Sequence, residues 1–120
     1  MHELSLAESL IEQVERAVEA AGAGCVTALH LQIGRLSGVD ADALRFGFDV
    51  AARGTRLDGA TLEITMLPVV IYCPSCRAEV ELPDFQPFRC PRCGTPSADV
   101  RQGREMTIET VEVLDEVPSP

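Results

Sequence analysis

Lysine and tryptophan are absent, aromatic residues are 4% of the chain and only two histidines occur. With so few aromatics, the interior has to be built from Leu, Ile, Val, Ala and Met with a few Phe. All ten basic residues are arginine, set against 19 acidic ones for a formal charge of -9. That balance leaves no cationic patch to displace counterions, so nucleic acid is not an expected partner. No apolar run approaches the ~20 residues that span a bilayer, so no membrane partner is expected. The first 20 residues carry Glu3, Glu8, Glu12, Glu15 and Glu19 and no basic region of an export signal. The expectation is a cytoplasmic protein, in a reducing compartment where C-x-x-C pairs serve metal or redox sites more often than structural disulfides.

What is present divides along the chain. Leu4, Ala7, Leu10, Ile11, Val14, Ala17, Val18 and Ala21 recur at three and four residues, the pattern of an amphipathic helix with its glutamates mostly on the solvated face. Ser5 followed by Glu8 matches a capping box, which predicts an N-cap at Ser5 and a short arm, Met1 to Leu4, outside the helix. Val26 to Ile33 alternates as a half-buried strand, and Leu44, Phe48 and Ala51 mark a second helix entered at Val39 or Asp40. Leu62, Ile64 and Met66 form a second strand that Pro68 terminates, and Glu105 to Val113 is a third. The predicted fold is α+β: a small three-stranded sheet with two helices, plus an inserted zinc-ribbon module. The expected division is residues 1–69 with 105–114 for the α/β domain, 70–104 for the zinc-binding domain and 115–120 for a disordered tail.

Cys73, Cys76, Cys90 and Cys93 form two C-P-x-C hooks separated by 13 residues. Tetrahedral zinc takes four such ligands, two from each tight turn, and four thiolates leave no position at which to activate water. Dithiol redox chemistry and a rubredoxin-like iron site use the same spacing and stand as alternatives. Gly94 follows the second hook where a positive φ is wanted, whereas Arg77 holds the matching place in the first, at a cost of ~1 kcal/mol if the same turn is used. Cys25 reads as a small buried hydrophobe and His30 as a surface histidine.

The N-terminus Met1-His2-Glu3 is in most chains a frayed surface segment. Its chemistry nonetheless offers an α-amine, the amides that follow and an imidazole, a planar nitrogen set that suits nickel(II) or copper(II). Glu3 adds a carboxylate beside the imidazole. Asp40 is a further oxygen donor whose other reading is a helix cap. No phosphate loop, Ser-His-Asp order or carboxylate pair stands out, so an enzyme is not expected.

Met1-His2-Glu3-Leu4-Ser5-Leu6, then Ile33-Gly34-Arg35-Leu36-Ser37-Gly38-Val39, then Leu44-Arg45-Phe46-Gly47-Phe48, then the two hooks, together resemble the HypA/HybF family of nickel metallochaperones. The resemblance spans residues 1 to about 113. It implies delivery of nickel to the large subunit of [NiFe]-hydrogenase together with the GTPase HypB. It further implies nickel held by Met1, His2 and Glu3, with Asp40 close by, and structural zinc on the four cysteines. Arg77, where a glycine is common, and Cys25 depart from the family pattern. The other reading is a zinc-ribbon protein-interaction module in which His2 is incidental.

Overall fold

The computed structural model describes residues 2–22, 24–83 and 87–114, with the backbone only of His2. The expected tail at 115–120 lies outside them. In chain order the elements are α1 (His2–Ala20), β1 (Cys25–Gly34), α2 (Ala41–Ala51), β2 (Thr61–Leu67), β3 (Val69–Cys73), β4 (Ala78–Leu82), β5 (Val100–Gln102) and β6 (Met106–Leu114). The fold is α+β, as the periodicities predict.

The chain folds as two compact units, the first holding residues 1–31, 39–64 and 108–120 and the second residues 32–38 and 65–107. In the first unit, Ala7, Leu10, Ile11, Val14 and Val18 form the buried stripe of α1. The helix does not start where the capping box places it. It begins at His2, so Ser5 is an exposed interior residue and His2 to Leu4 belong to the helix, not to the expected arm; Met1 lies outside the described residues. Packing overrides the local signature here: Leu4 lies against Gly47 of α2, and the Glu3 carboxylate accepts a bond from the Asp40 N–H. The far end stops after Ala20, where Gly22 takes φ 74 and its N–H reaches Glu19 O at 3.1 Å.

Asp40 caps α2. Its backbone is extended, at φ -85 and ψ 116, and Oδ1 accepts from the N–H groups of Asp42 at 3.0 Å and Ala43 at 3.2 Å. Leu44, Gly47 and Phe48 are the buried residues of the helix. The glutamates of α1 are not all idle in solvent. Glu15 accepts from the Arg56 N–H at 2.7 Å, and Glu19 lies 3.7 Å from the Arg56 guanidinium.

One sheet has the order β2-β1-β6. Leu29, Leu31 and Ile33 of β1 are fully buried at every second position, the alternation read from sequence. Thr27 donates to Glu112 O, and His30 Nε2 stands 2.6 Å from Glu112 Oε2. Cys25 at the start of β1 is half-buried, not buried as expected, and free.

The second unit is built on the sheet β4-β3-β5. β3 and β4 pair antiparallel with Val69 opposite Leu82, Ile71 opposite Val80 and Cys73 opposite Ala78. Val69, Ile71, Cys73, Val80, Leu82 and Cys90 make its core, with Leu36 and Val100 packed against it. The core therefore draws Leu36 and Val69 from beyond the 70–104 segment that the cysteine spacing delimits. Gly34 and Gly103 allow this, because a Cβ on Gly34 would stand 2.1 Å from the Gly103 backbone. On the other side of β3, Arg101 stacks on the Tyr72 ring at 4.7 Å and makes two 2.9 Å bonds to Asp99. The guanidinium holds the Asp99 carboxyl below its usual range.

Replacing the cap tests this arrangement. Asp40→Ala should destabilise the protein by ~1 kcal/mol in urea unfolding, while Asp40→Asn, an equally good cap, should unfold close to wild type.

Candidate metal centres

The two hooks close on one another. Cys73 enters from the end of β3, where the strand alternation turns its side chain into the core, and Cys90 lies in the loop after β4, also buried; Cys76 and Cys93 are exposed. The four Sγ atoms all lie within 4.8 Å of one another, with Cys73 to Cys93 at 3.5 Å and Cys76 to Cys90 at 3.9 Å. A tetrahedron of thiolates about 2.3 Å from one ion has edges of ~3.8 Å, so the sulfurs are already at the spacing of a metal cage. Among the described residues it is the one group of His, Cys, Asp or Glu side chains so arranged.

Each hook is a turn that serves the sulfurs. The Cys76 N–H donates to Cys73 Sγ at 3.3 Å, and Gly94 N–H closes the second turn on Cys90 O at 2.8 Å. Gly94 sits at φ 78 and Arg77 at φ 53, the one non-glycine at positive φ among the described residues. The two hooks thus use the same turn, and the strain expected at Arg77 is present.

The protons of the cluster are unevenly held. Cys93 is lowered to about 6, chiefly by hydrogen bonds from the Thr95 hydroxyl and backbone, while Cys76 is pushed up to about 12 by hydrogen bonding with the sulfurs of Cys93, Cys73 and Cys90. The Cys93 thiolate forms readily, while Cys76 keeps the proton that it shares in hydrogen bonds with the other sulfurs. A divalent cation replaces the remaining protons. Thr95 Oγ1 lies 3.1 Å from Cys93 Sγ and 3.0 Å from Ser75 Oγ, a hydroxyl chain the cysteine spacing does not reveal. Its signal in the sequence is only a hydroxyl placed two residues after the last ligand.

Of the N-terminal candidates, Glu3 and Asp40 meet at the start of α2. Glu3 Oε2 accepts from the Asp40 N–H at 3.4 Å, and Asp40 Oδ1 is occupied as the helix cap. These two residues are brought together, backbone to carboxylate. Met1 and the side chain of His2 lie outside the described residues. Beside Glu3 is a recess of about 260 Å³ lined by Leu4, Ala43, Phe46, Gly47 and Val50, with Phe46 73% exposed.

A family profile described as hydrogenase/urease nickel incorporation, metallochaperone, hypA matches residues 1–113. This chain belongs to the HypA family. It is 50% identical over 118 residues to the hydrogenase maturation factor HypA of Roseiflexus sp., covering 98% of this chain and 96% of that one. The Chloroflexus aurantiacus HypA is 48% identical over 112 residues, 93% of this chain and 98% of that one. The fold agrees with a solution structure of the HypA nickel metallochaperone from Helicobacter pylori, with a TM-score of 0.67 at 23% identity over 95% of this chain and 98% of that one. A second HypA solution structure gives a TM-score of 0.72 at 25% identity over 97% and 98% of the two chains. The HypA match thus takes in the four-cysteine cluster and the N-terminal segment alike.

Arg77→Gly should relieve the strained hook. The released strain of ~1 kcal/mol is partly offset by the greater chain entropy of glycine, leaving a net gain of up to about 0.5 kcal/mol in the thermal unfolding of the metal-loaded protein.

Proposed function

We propose that this chain is a nickel metallochaperone of hydrogenase maturation, carrying a structural zinc ion and a transient nickel ion at separate places. The support is the HypA match over residues 1–113. In this reading Cys73, Cys76, Cys90 and Cys93 hold zinc. Closed thiolate coordination gives it no catalytic position, and the ion supplies cohesion to a small core that already counts two of its ligands among its buried residues.

Nickel is cargo, held by Met1, His2 and Glu3 with Asp40 as a further donor. The start of α1 at His2 favours this. The first four N–H groups of a helix have no intrahelical acceptor, so the amide nitrogens of His2 and Glu3 can go to a metal without breaking a helical hydrogen bond. Glu3 either joins the ligand set or acts as the strut to Asp40 that fixes the first turn. Binding displaces protons from the amine, the imidazole and the amides. Transfer is ligand exchange with an acceptor, and it needs no swinging arm.

The acceptor is the large subunit of [NiFe]-hydrogenase, and the GTPase HypB supplies the nucleotide chemistry. The chain itself works in the cytoplasm and is not an enzyme. No helix among the described residues is long and apolar enough to cross a membrane.

A nickel titration of the zinc-loaded protein and of His2→Ala tests the reading. Wild type should bind with an affinity that falls steeply on acidification, since protons compete for every donor, and His2→Ala should lose it. Equal affinity in both would return the zinc-ribbon interaction module as the better account. Elemental analysis should give one zinc per chain, and Asp40→Asn, which keeps the cap, should weaken nickel only if the carboxylate is a donor.

A further inference from the structure

Gly47 stands in the middle of α2, where glycine is the least favourable residue but proline. Its conformation does not call for glycine, since it is not among the residues at positive φ. The reason is space. A Cβ on Gly47 would lie 3.2 Å from Leu4 Cα, 3.5 Å from Glu3 O and 3.6 Å from Leu4 Cδ1. Two of these three are backbone atoms of the first turn of α1, the turn that continues into His2. The core of α2 on either side, Leu44 and Phe48, is fully buried and cannot give way. The displacement, a few tenths of an ångström, therefore falls on the first turn of α1.

The same turn is held a second time from α2, through the 3.4 Å bond from the Asp40 N–H to Glu3 Oε2. That bond is already long, and a displaced turn would break it. We infer that Gly47 is a positioning residue for nickel: by letting α2 meet the backbone of Glu3 and Leu4, it fixes where the N-terminal donors stand. This rests on the nickel reading above. It makes Gly47 act through Glu3 and His2 without touching the ion.

The test is a nickel titration of the zinc-loaded full chain with Gly47→Ala and Gly47→Val, beside wild type, His2→Ala and Val18→Ala. Val18 is buried on α1 near its other end, so its truncation loosens the same helix without pushing the first turn. Nickel should bind Gly47→Ala several-fold more weakly than wild type and Gly47→Val on the order of tenfold or more, the scale seen when groups that support metal ligands are lost. The ligand-field spectrum of nickel-loaded Gly47→Val should differ from that of wild type, which a loss of stability alone would not cause. Val18→Ala should melt at lower temperature yet bind nickel as wild type does.

Wild-type nickel affinity and spectrum in both Gly47 variants would overturn the inference and leave the nickel reading standing. An equal loss of affinity in Val18→Ala would overturn it too, by reducing the effect to general destabilisation. If wild type and His2→Ala bind alike, the nickel reading falls and this inference with it. Should Gly47→Val fail to fold, Gly47→Ala decides.

Discussion

Four sulfurs held within 4.8 Å of one another are the constraint on which the second unit depends. Two of them, Cys73 and Cys90, are simultaneously part of its apolar core, so an ion held by the four sulfurs would be tied directly to that core. Five buried side chains on a sheet of five-, five- and three-residue strands, with Cys90 from the loop, make a small core, and small cores are where a metal contributes most. The hooks are shaped to the purpose at some cost. Arg77 takes a left-handed backbone in the first hook that Gly94 takes freely in the second. The hydroxyls of Thr95 and Ser75 line up on Cys93, whose thiol is lowered to about 6.

The first unit is organised differently, by backbone contacts at the meeting of two helices. Asp40 caps α2 with its side chain and offers its own N–H to Glu3, while Gly47 admits the first turn of α1. These contacts draw His2 to Ser5 into a helix that the capping signature would have started four residues later, at Leu6. The consequence is an ordered first turn of α1 over His2 to Leu4.

The charge follows the same division. The first unit carries fourteen acidic residues against four arginines, the second five against six. An acidic field around the N-terminus raises the local concentration of a divalent cation and favours partners with a basic face. With its thiolates and a divalent ion, the second unit stays near neutrality.

By itself the sequence determined the two helices, the strands β1, β2 and β6, the β1 alternation, the four-cysteine cluster and the strain at Arg77, and it offered the cap as one of two readings of Asp40. These are matters of short-range pattern: a period of two or of three to four, a spacing of C-x-x-C, a turn repeated in two hooks. Only the tertiary structure decided that α1 starts at His2, because the contacts of Leu4 with Gly47 and of Glu3 with Asp40 join residues some forty apart, beyond any local rule. It also decided that Leu36 and Val69 belong to the core around the sulfurs and that Thr95 faces Cys93. The role of Gly47 lay in neither composition nor periodicity. A glycine in a helix reads as a weakness until the backbone it makes room for is seen.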